Sequence, residues 1–502
     1  MAYSINDKNL IEELCGDDFK TVIDYEKNQL VNDNNPNFVH PLDDQIVGEQ
    51  GILSKLLNGN TTFSYASADK LDDLWRILLD KSIRCLRYFD NREPFKANDR
   101  KSIVAYGIDN LEDYHRKYTE FESLMYGAST YYRDHVFHAV RVWMLGVFCL
   151  IKKESAGDDS LYSQLKFDGG PKNVPRNLNF FESISMWTIA ALCHDLGYPL
   201  EKAENILDST RKMMKEFIPN PNIWNNFGYN GTQDSINEYI LKFISTKMVC
   251  KSEEDQNPQY YGRIQPKYFL KYAKSLENFK HGIISTVIVY KMLLYFLESD
   301  FNLNDDYIYE KEDAQQFYIR REILRAMASH TCPDAYNVHM YTFPSLLFLC
   351  DELQEWGRKT WNEIYTGLNE SSVELTIKEF KKDNIDVSEI INMANTEDEG
   401  VLLGNICRIF ERQYSLYKTT FRDGQHTATR DFDFKKTMTL KLKYRGVNES
   451  KIEITYTLPK DNASAFIINL ANYQNTNKND FKDKIIKNLS HSLYYNTLSV
   501  NC

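Results

Sequence analysis

The sequence predicts a mainly α protein with an N-terminal helical region, a central helical bundle and a C-terminal α+β domain. Apolar residues recur at helical spacing through most of the chain before Lys359, and beyond it they begin to alternate, as they do in half-buried strands. A length of 502 residues is also more than one hydrophobic core usually serves. We therefore predict three units, at residues 1–125, 126–365 and 366–502.

In the N-terminal region, the segment Ser67–Phe89 predicts an amphipathic helix. Its apolar residues recur three and four positions apart, which places them on one face that we expect to be buried. These residues are Leu71, Leu74, Trp75, Leu78, Leu79, Ile83 and Leu86.

The central region predicts an all-α bundle, because its apolar segments have helical rather than alternating periodicity. Polar, Asn-rich and Pro-containing segments at 156–179 and 251–266 interrupt them and are predicted to be surface loops. The apolar helical segments are Val136–Leu150, Ile184–Leu196, Ile283–Leu297, Ile323–Met327 and Leu346–Trp356.

The C-terminal region combines strand and helix patterns. Alternating apolar residues predict strands at Ser372–Phe380, Thr437–Tyr444 and Ile452–Leu458, and the polar stretch 445–450 predicts a β-hairpin turn between the last two. The order of elements is similar to a split β-α-β arrangement with helices on one face of a sheet. The predicted helices are Val387–Met393, Leu402–Tyr417 and Ala465–Tyr473.

The charge balance argues against a long nucleic acid as the main partner. With 60 basic and 71 acidic side chains, the formal charge is −11, and there is no basic stripe. The start of the chain lacks a signal-peptide pattern and no apolar run reaches the ~20 residues of a membrane span, so we expect a cytoplasmic protein without a membrane partner. Nine scattered cysteines without a CxxC pair suit a reducing compartment. The C-terminal domain is compatible with regulator binding or with a homo-oligomer.

Histidines and aspartates on the predicted buried helices are the residues that indicate chemistry. Imidazole nitrogens and carboxylate oxygens together suit a transition metal such as Mn, Fe, Zn, Co or Ni. The pair His194 and Asp195 is the most informative, because it places two polar groups in an apolar helix, and a metal ion would compensate their burial. The full set is His138, His194, Asp195, His281, His330 and Asp351.

Each member of this set has a simpler interpretation when taken by itself. A lone histidine such as His281 is more commonly a hydrogen-bonded core residue, and Asp351 suits a solvated helix face. His135, three residues before His138, is predicted to line the pocket rather than to bind metal. The conjunction of histidines in four segments with an aspartate in a fifth favours a metal centre.

In their order along the chain, these residues resemble the motifs of the HD-domain metal-dependent phosphohydrolase superfamily. The resemblance covers about Tyr126 to Arg358 and includes His138 followed by Arg141, and HDLG from His194. It implies an HD-type helical bundle with two divalent transition metal ions. By resemblance, the ligands of the first ion are His138, His194, Asp195 and Asp351. The ligands of the second ion are Asp195, as a bridge, with His281 and His330.

The sequence departs from the HD-GYP branch of that superfamily. Tyr198 follows HDLG where that branch has a lysine, and HTCPDAY from His330 stands in place of the HHExxDGxGYP signature. The ending DELQEWGR, from Asp351 to Arg358, is more similar to other HD phosphodiesterases. The two additional histidines are similar to those of the binuclear branch, which includes cyclic-dinucleotide phosphodiesterases.

Cationic and aromatic residues beside the motifs are candidates for handling a phosphorylated substrate. We predict that Lys202 and Arg358 act in catalysis with Asp195, the two cations holding phosphate oxygens. Lys202 suits the solvated start of a helix equally well. A tyrosine beside the motifs can stack on a nucleobase. The predicted substrate-binding residues are Arg133, His135 and Tyr198.

The function predicted from these features is hydrolysis of a small phosphorylated substrate, a nucleotide or cyclic (di)nucleotide, by water that a metal centre activates. One alternative is a dNTP triphosphohydrolase, a branch that typically has four ligands and one metal, in which His281 and His330 would not be ligands. Another alternative is a non-catalytic sensor or scaffold with the same fold.

Overall fold

The computed structural model describes the main helices and strands of the chain and part of the connecting segments. The described residues are 2–30, 38–57, 63, 68–90, 92, 105–128, 133–151, 178–216, 218, 232–250, 258–298, 303, 307–332, 335, 342–358, 371–380, 384–393, 399–400, 402–410, 433–442, 450–458, 465–473, 478–490 and 498–502.

The protein is mainly α-helical with an additional sheet region, as the sequence predicts at this level. The helices are α1 Asp7–Leu14, α2 Asp17–Leu30, α3 Asp44–Val47, α4 Ile52–Leu56, α5 Ala68–Tyr88, α6 Ile108–Ala128, α7 Val136–Ile151, α8 Phe180–Cys193, α9 Tyr198–Met214, α10 Thr232–Ser245, α11 Pro266–Glu277, α12 His281–Met292, α13 Leu294–Leu297, α14 Lys311–His330, α15 Phe343–Leu353, α16 at 402–410 and α17 Lys478–Leu489. The strands are β1 Tyr3–Ile5, β2 Thr246–Cys250, β3 Tyr260–Ile264, β4 Ile308–Tyr309, β5 Ser371–Phe380, β6 Asn384–Met393, β7 Asp433–Leu442, β8 Ser450–Leu458, β9 Ala465–Asn469 and β10 Leu498–Asn501.

The helices α7 and α8 form the centre of the helical part, and every one of their residues is buried. The amphipathic helix predicted over Ser67–Phe89 is present as α5, and its apolar face packs against α8. The Nε1–H of Trp75 on that face donates a hydrogen bond to the carbonyl oxygen of Leu192, at 3.0 Å. This bond therefore attaches the end of α8, just before the segment that follows Leu192, to a helix of the N-terminal region. No described helix combines the length and apolar character needed to cross a bilayer.

The central region also contains a small sheet, in which β2, β3 and β4 pair antiparallel in that order. The prediction that residues 251–266 form only a surface loop is therefore wrong for Tyr260–Ile264. The segment reads YYGRI, and Gly262 at the inward position between Tyr260 and Ile264 interrupts the apolar alternation that would identify a strand. Pairing with β2 on one side and β4 on the other supplies the hydrogen bonds that its local sequence does not suggest.

The C-terminal region forms most of a seven-stranded mixed sheet, in the order β1-β5-β6-β7-β8-β9-β10. The predicted strands are present as β5, β7 and β8, and β7 and β8 pair antiparallel as the hairpin prediction requires. The turn at 445–450 lies outside the described residues except for Ser450. β6 pairs parallel with β7, and β9 pairs parallel with β10. Helix α16 confirms the helix predicted from Leu402 over residues 402–410, and residues 411–417 lie outside the described part.

Two of the predicted C-terminal helices are wrong, because Val387–Met393 belongs to β6 and Ala465–Asn469 forms β9. In β6 the next inward-facing residue after Val387 is Glu389. This charged residue interrupts the alternation of apolar and polar residues that would predict a strand. Glu389 is nevertheless buried, because its carboxylate pairs with the ammonium of Lys436 at 2.9 Å on the neighbouring strand. In β9 the outward Ile467 is apolar and 37% exposed, so both faces of the strand are apolar.

The N-terminal segment joins the sheet to the helical part. Strand β1 pairs antiparallel with β5, and two residues later the side chain of Asp7 is fully buried. Its carboxylate accepts hydrogen bonds from Arg141 Nε at 2.8 Å, Arg141 Nη2 at 2.9 Å, Trp356 Nε1 at 2.9 Å and the backbone N–H of Phe63 at 2.9 Å. Asp7 thus ties the first helix to α7 and to the segment after α15.

We predict that Asp7→Ala destabilises the fold by about 3–5 kcal/mol, because it removes the two-pronged partner of the buried Arg141 guanidinium and leaves only the more distant Asp134 carboxylate, at 3.8 Å. The measurement is the free energy of unfolding in a denaturant titration. The matched control is Asp18→Ala, which removes an exposed carboxylate from the first turn of α2 and should cost only about 0.3–1 kcal/mol. Equal effects of the two substitutions would contradict a supporting role of the buried pair.

Candidate metal centre

Six helix ends meet at one place in the helical part. They are the starts of α7, α9 and α12 and the ends of α8, α14 and α15. Ligand atoms at five of these ends, all but the start of α9, form three overlapping groups of three, and within each group all atoms lie within 4.8 Å of one another. The structure thus brings together every residue that the sequence predicts as a metal ligand, and these buried groups can hold a metal ion. They are His138, His194, Asp195, His281, His330 and Asp351.

The carboxylate of Asp195 lies between two pairs of histidines. Its Oδ2 atom is 3.3 Å from His194 Nε2 and 3.8 Å from His138 Nε2. Its Oδ1 atom is 3.2 Å from His281 Nε2 and 3.6 Å from His330 Nε2. Each oxygen of one carboxylate therefore faces a different pair of imidazole nitrogens.

Asp351 completes the side of the cluster that contains His138 and His194. Its Oδ1 atom is 2.9 Å from His138 Nε2 and 4.0 Å from His194 Nε2. Metal–ligand bonds of about 2.0–2.2 Å would place neighbouring donor atoms roughly 3.0–3.6 Å apart. Most of the donor separations in the cluster are close to this range, so the spacing suits transition-metal coordination.

Every histidine of the cluster is oriented by a hydrogen bond from the ring nitrogen that points away from Asp195. The Nδ1–H groups of His194 and His330 donate to the carbonyl oxygens of Ala191 and Met327, at 2.7 and 2.6 Å. The Nδ1–H groups of His138 and His281 donate to the side chains of Gln354 and Glu201, at 2.5 and 2.6 Å. With Nδ1 protonated, the lone pair of each Nε2 faces the centre, as metal ligation requires.

The Nε2 atoms that face the centre converge on one another and on carboxylate oxygens. The Nε2 atom of His194 is buried without a hydrogen-bond partner among the described residues. The Nε2 atoms of His281 and His330 are 3.2 Å apart and face the same oxygen of Asp195. Converging lone pairs and carboxylates repel one another unless a cation lies between them, and a metal ion supplies that cation.

The pKa shifts of Asp195 and His281 also indicate that positive charge is stabilised at this centre. Burial raises the pKa of Asp195, but the imidazoles of His194, His281 and His330 outweigh burial and hold that pKa well below its usual range. Burial lowers the pKa of His281, but its hydrogen bonds to Asp195 and Glu201 outweigh burial and raise it to about 9. A proton or a metal ion at Nε2 therefore meets strong electrostatic attraction.

A glycine permits the close approach of two of these helix ends. A Cβ atom at Gly197 would lie 2.3 Å from the carbonyl oxygen of His281, so a side chain there would separate α9 from α12. The backbone N–H of Gly197 donates to Ser285 Oγ at 2.8 Å, and that hydroxyl donates to the carbonyl oxygen of His194 at 2.6 Å. The HDLG turn is thereby fixed against the helix that carries His281.

The predicted pocket residues His135 and Tyr198 lie beside the cluster and contact each other. Their ring centroids are 3.9 Å apart, and the Tyr198 ring also meets the edge of His281, at 5.3 Å. Lys202 lies over the Tyr198 ring at 5.1 Å, and its ammonium is 3.4 Å from Glu201. The Tyr198 ring is thus packed by protein groups, and its role in substrate binding stays a prediction, as do those of His135 and Lys202.

The arginines around the site differ in what neutralises them. Arg133 forms a two-pronged ion pair with Glu355, and Arg141 is held by Asp7. Among the described residues, Arg358 has no carboxylate partner, and its Nε is buried without a hydrogen bond. Its Nη2 donates to the carbonyl oxygen of Asp134, at 3.3 Å.

Sequence patterns missed several residues that orient the ligands. One of them is Gln354, three positions after Asp351, which the sequence patterns did not identify. Its Nε2 donates a hydrogen bond to the carbonyl oxygen of Trp356 at 2.7 Å, and this bond turns Oε1 toward His138. Asp134 accepts from the backbone N–H of His138 at 3.2 Å. Spacing near a motif could have suggested both, whereas nothing local connects Asp7 with this part of the molecule.

The chain matches no protein-family model, no curated protein and no solved structure in the three comparisons. Assignment of the centre to a chemical class therefore depends on the residues of the site itself.

We predict that a divalent transition ion such as Mn²⁺ or Co²⁺ raises the Tm of the chelator-treated protein. At a free concentration 100 times the Kd, stabilisation should reach about 2.7 kcal/mol. Asp195→Asn, which keeps the size of the side chain, should remove most of this response because it removes the charge between the histidine pairs. Thermal unfolding with and without metal is the measurement. Apo protein as stable as metal-loaded protein would instead favour a metal-free scaffold.

Proposed function

We propose that this chain is a metal-dependent phosphohydrolase with an HD-type helical bundle, and that it acts as a phosphodiesterase on a nucleotide or a cyclic (di)nucleotide. The observation that carries the proposal is the position of Asp195, with one carboxylate oxygen toward His138 and His194 and the other toward His281 and His330. A carboxylate divided in this way suits a bridge between two ions.

The histidine pair on Oδ1 of Asp195 favours this proposal over the triphosphohydrolase alternative. A four-ligand site needs only His138, His194, Asp195 and Asp351, and it would leave the other two histidines as ordinary core residues. Instead, their Nε2 atoms lie 3.2 Å apart and both face Oδ1 of Asp195. Two imidazole nitrogens and one carboxylate oxygen that converge in this way suit the coordination of a second ion.

Two divalent ions held here would lower the pKa of a bound water molecule toward ~7 and neutralise charge on a phosphate group. The exposure of the ligands indicates how a substrate would reach these ions. Asp351 and His281 are the more exposed ligands, with side chains 29% and 16% exposed, whereas those of His138, His194 and His330 are at most 1% exposed. A substrate would therefore approach from the side of Asp351 and His281.

Arg358 is the cation best suited to hold a phosphate oxygen. Its positive charge is near enough to reinforce the effect of burial in lowering the pKa of His138 and of His135. Its guanidinium lacks a carboxylate partner among the described residues, in contrast to Arg133 and Arg141. An unpaired guanidinium beside a metal centre suits recognition of a non-bridging phosphate oxygen.

A small substrate is consistent with the charge of the chain. A formal charge of −11 gives no extended positive surface for a long nucleic acid. A compact phosphoester instead needs local positive charge, which the metal centre and Arg358 would supply. Two transition ions and a small nucleotide substrate are therefore the proposed partners. Self-association of the chain is a further proposal, and it rests on no particular residue.

The hydrolase proposal predicts that metal-loaded protein hydrolyses at least one member of a panel of nucleotides, cyclic nucleotides and cyclic dinucleotides. Asp195→Asn should reduce the rate to background, and His330→Ala should lower both activity and metal content. Product identification by chromatography and metal content by elemental analysis are the measurements. A triphosphate product together with unchanged metal content in His330→Ala would support the triphosphohydrolase alternative, and a fully metal-loaded protein that leaves the panel intact would count against an enzyme.

We also predict that Arg358→Gln lowers kcat/KM by about 10²-fold or more, because one preorganised donor to the phosphate is lost. Its metal content should stay that of the unmodified protein, since Arg358 is not among the ligands. The control is Arg116→Gln, an exposed arginine on α6 that pairs with Glu112 and Asp113 and should leave kcat/KM unchanged. An Arg358→Gln protein with normal kcat/KM would exclude the anion-holding role.

A further inference from the structure

We propose that Glu201 is a positioning residue that sets the affinity of the second metal ion, acting through His281. The inference rests on the two-ion centre proposed above and identifies which half of that centre depends on a residue outside the ligand set. It assigns a role to a carboxylate that contacts no predicted ligand except His281.

Glu201 holds His281 by two hydrogen bonds that end on one oxygen. The Oε2 atom accepts from His281 Nδ1 at 2.6 Å and from the backbone N–H of His281 at 2.9 Å. His281 is the first residue of α12, so the second bond also satisfies a backbone donor at the start of that helix. One carboxylate thus determines the position of the helix end and the rotation of the imidazole ring.

The other three histidines have neutral partners at the equivalent nitrogen. His194 and His330 donate to backbone carbonyl oxygens, and His138 donates to the amide oxygen of Gln354. Of these four rings, only that of His281 donates its Nδ1–H to a carboxylate. A carboxylate that accepts the Nδ1–H makes an imidazole a stronger electron donor at Nε2 and strengthens its bond to a metal.

The two halves of the centre, divided by which oxygen of Asp195 each histidine faces, differ in the charge that the ligands themselves bring. The first half combines two imidazoles with the carboxylates of Asp195 and Asp351, whereas the second half combines two imidazoles with a share of Asp195. The second half therefore has fewer protein ligands and less negative charge. Glu201 compensates for this deficit from behind His281.

The remaining oxygen of Glu201 faces two ammonium groups. Its Oε1 atom is 3.4 Å from Lys202 Nζ and 3.5 Å from Lys280 Nζ. Both lysine side chains are partly exposed, so they can adjust when the carboxylate is changed. Because both bonds to His281 end on Oε2, a glutamine at this position can keep them with its amide oxygen and lose only the negative charge.

The test is therefore Glu201→Gln, compared with the unmodified protein by Mn²⁺ titration, elemental analysis and low-temperature electron paramagnetic resonance. We expect the second ion to bind about 10- to 100-fold more weakly, while the first ion is retained. At the lowest free Mn²⁺ concentration that fills both sites of the unmodified protein, the spectrum should be that of two coupled ions in the unmodified protein and that of an isolated ion in Glu201→Gln. The matched control is Asp208→Asn, which removes the same charge from an exposed position on α9, where Asp208 pairs with Arg211, and should leave both ions in place.

Two results separate this inference from the proposed function. If the unmodified protein binds two ions and Glu201→Gln binds both with unchanged affinity, the role of Glu201 is excluded and the binuclear hydrolase stands. If the unmodified protein binds no more than one ion, the binuclear centre itself is excluded and the role of Glu201 with it. The melting curve of chelator-treated Glu201→Gln shows whether the substitution has altered the fold.

A second variant keeps the inference testable if Glu201→Gln does not fold. Glu201→Asp retains the charge and moves it by one methylene group, so it should bind the second ion more weakly than the unmodified protein and more tightly than Glu201→Ala. Asp and Ala variants with the same second-ion affinity would show that the carboxylate does not act on His281 and would overturn the proposal.

Discussion

The buried carboxylate of Asp195 is the group around which the helical part of this protein is arranged. Four imidazole nitrogens face its two oxygens, at 3.2 to 3.8 Å. Such a group is costly to bury without positive charge, because desolvation penalises the carboxylate and the nitrogen lone pairs repel it. A cation between these atoms stabilises this geometry. Because the fold of the helices brings the atoms together, the fold itself favours binding of a cation at this place.

The ligands lie at helix ends rather than in the middle of helices, and this determines how they are held. Five of the six ends bring one ligand or the adjacent pair, and each ring is fixed by a bond from Nδ1 to a carbonyl oxygen, an amide or Glu201. Backbone carbonyls at the ends of α8 and α14 are orphan acceptors of those helices, so the histidines there also satisfy groups that would otherwise lack a partner. Metal ligation and helix termination thus depend on the same hydrogen bonds.

The sheet region is connected to this centre through the beginning of the chain. Strand β1 extends the sheet at β5, and Asp7 follows it into the buried pair with Arg141 and Trp356. Gly357, next to Trp356, has a φ of +70° and lies under the Arg141 guanidinium, where a Cβ atom would be 2.8 Å from Nη2. This turn leads directly to Arg358. The position of the unpaired guanidinium therefore depends on a contact made by the N-terminal segment.

The sequence predicts the helical class, the strands β5, β7 and β8, and the identity of the residues in the centre, because periodicity and ligand chemistry are local properties. It failed for β6, where the buried Glu389 conceals the alternation until Lys436 on the next strand is known, and for β9, whose faces are both apolar. Tertiary contacts determine which arginine lacks a carboxylate partner among the described residues, how Asp195 divides its oxygens, and which histidine is bonded to Glu201. These features are contacts between residues far apart in the chain, and no local pattern specifies which distant partner a charged group will meet.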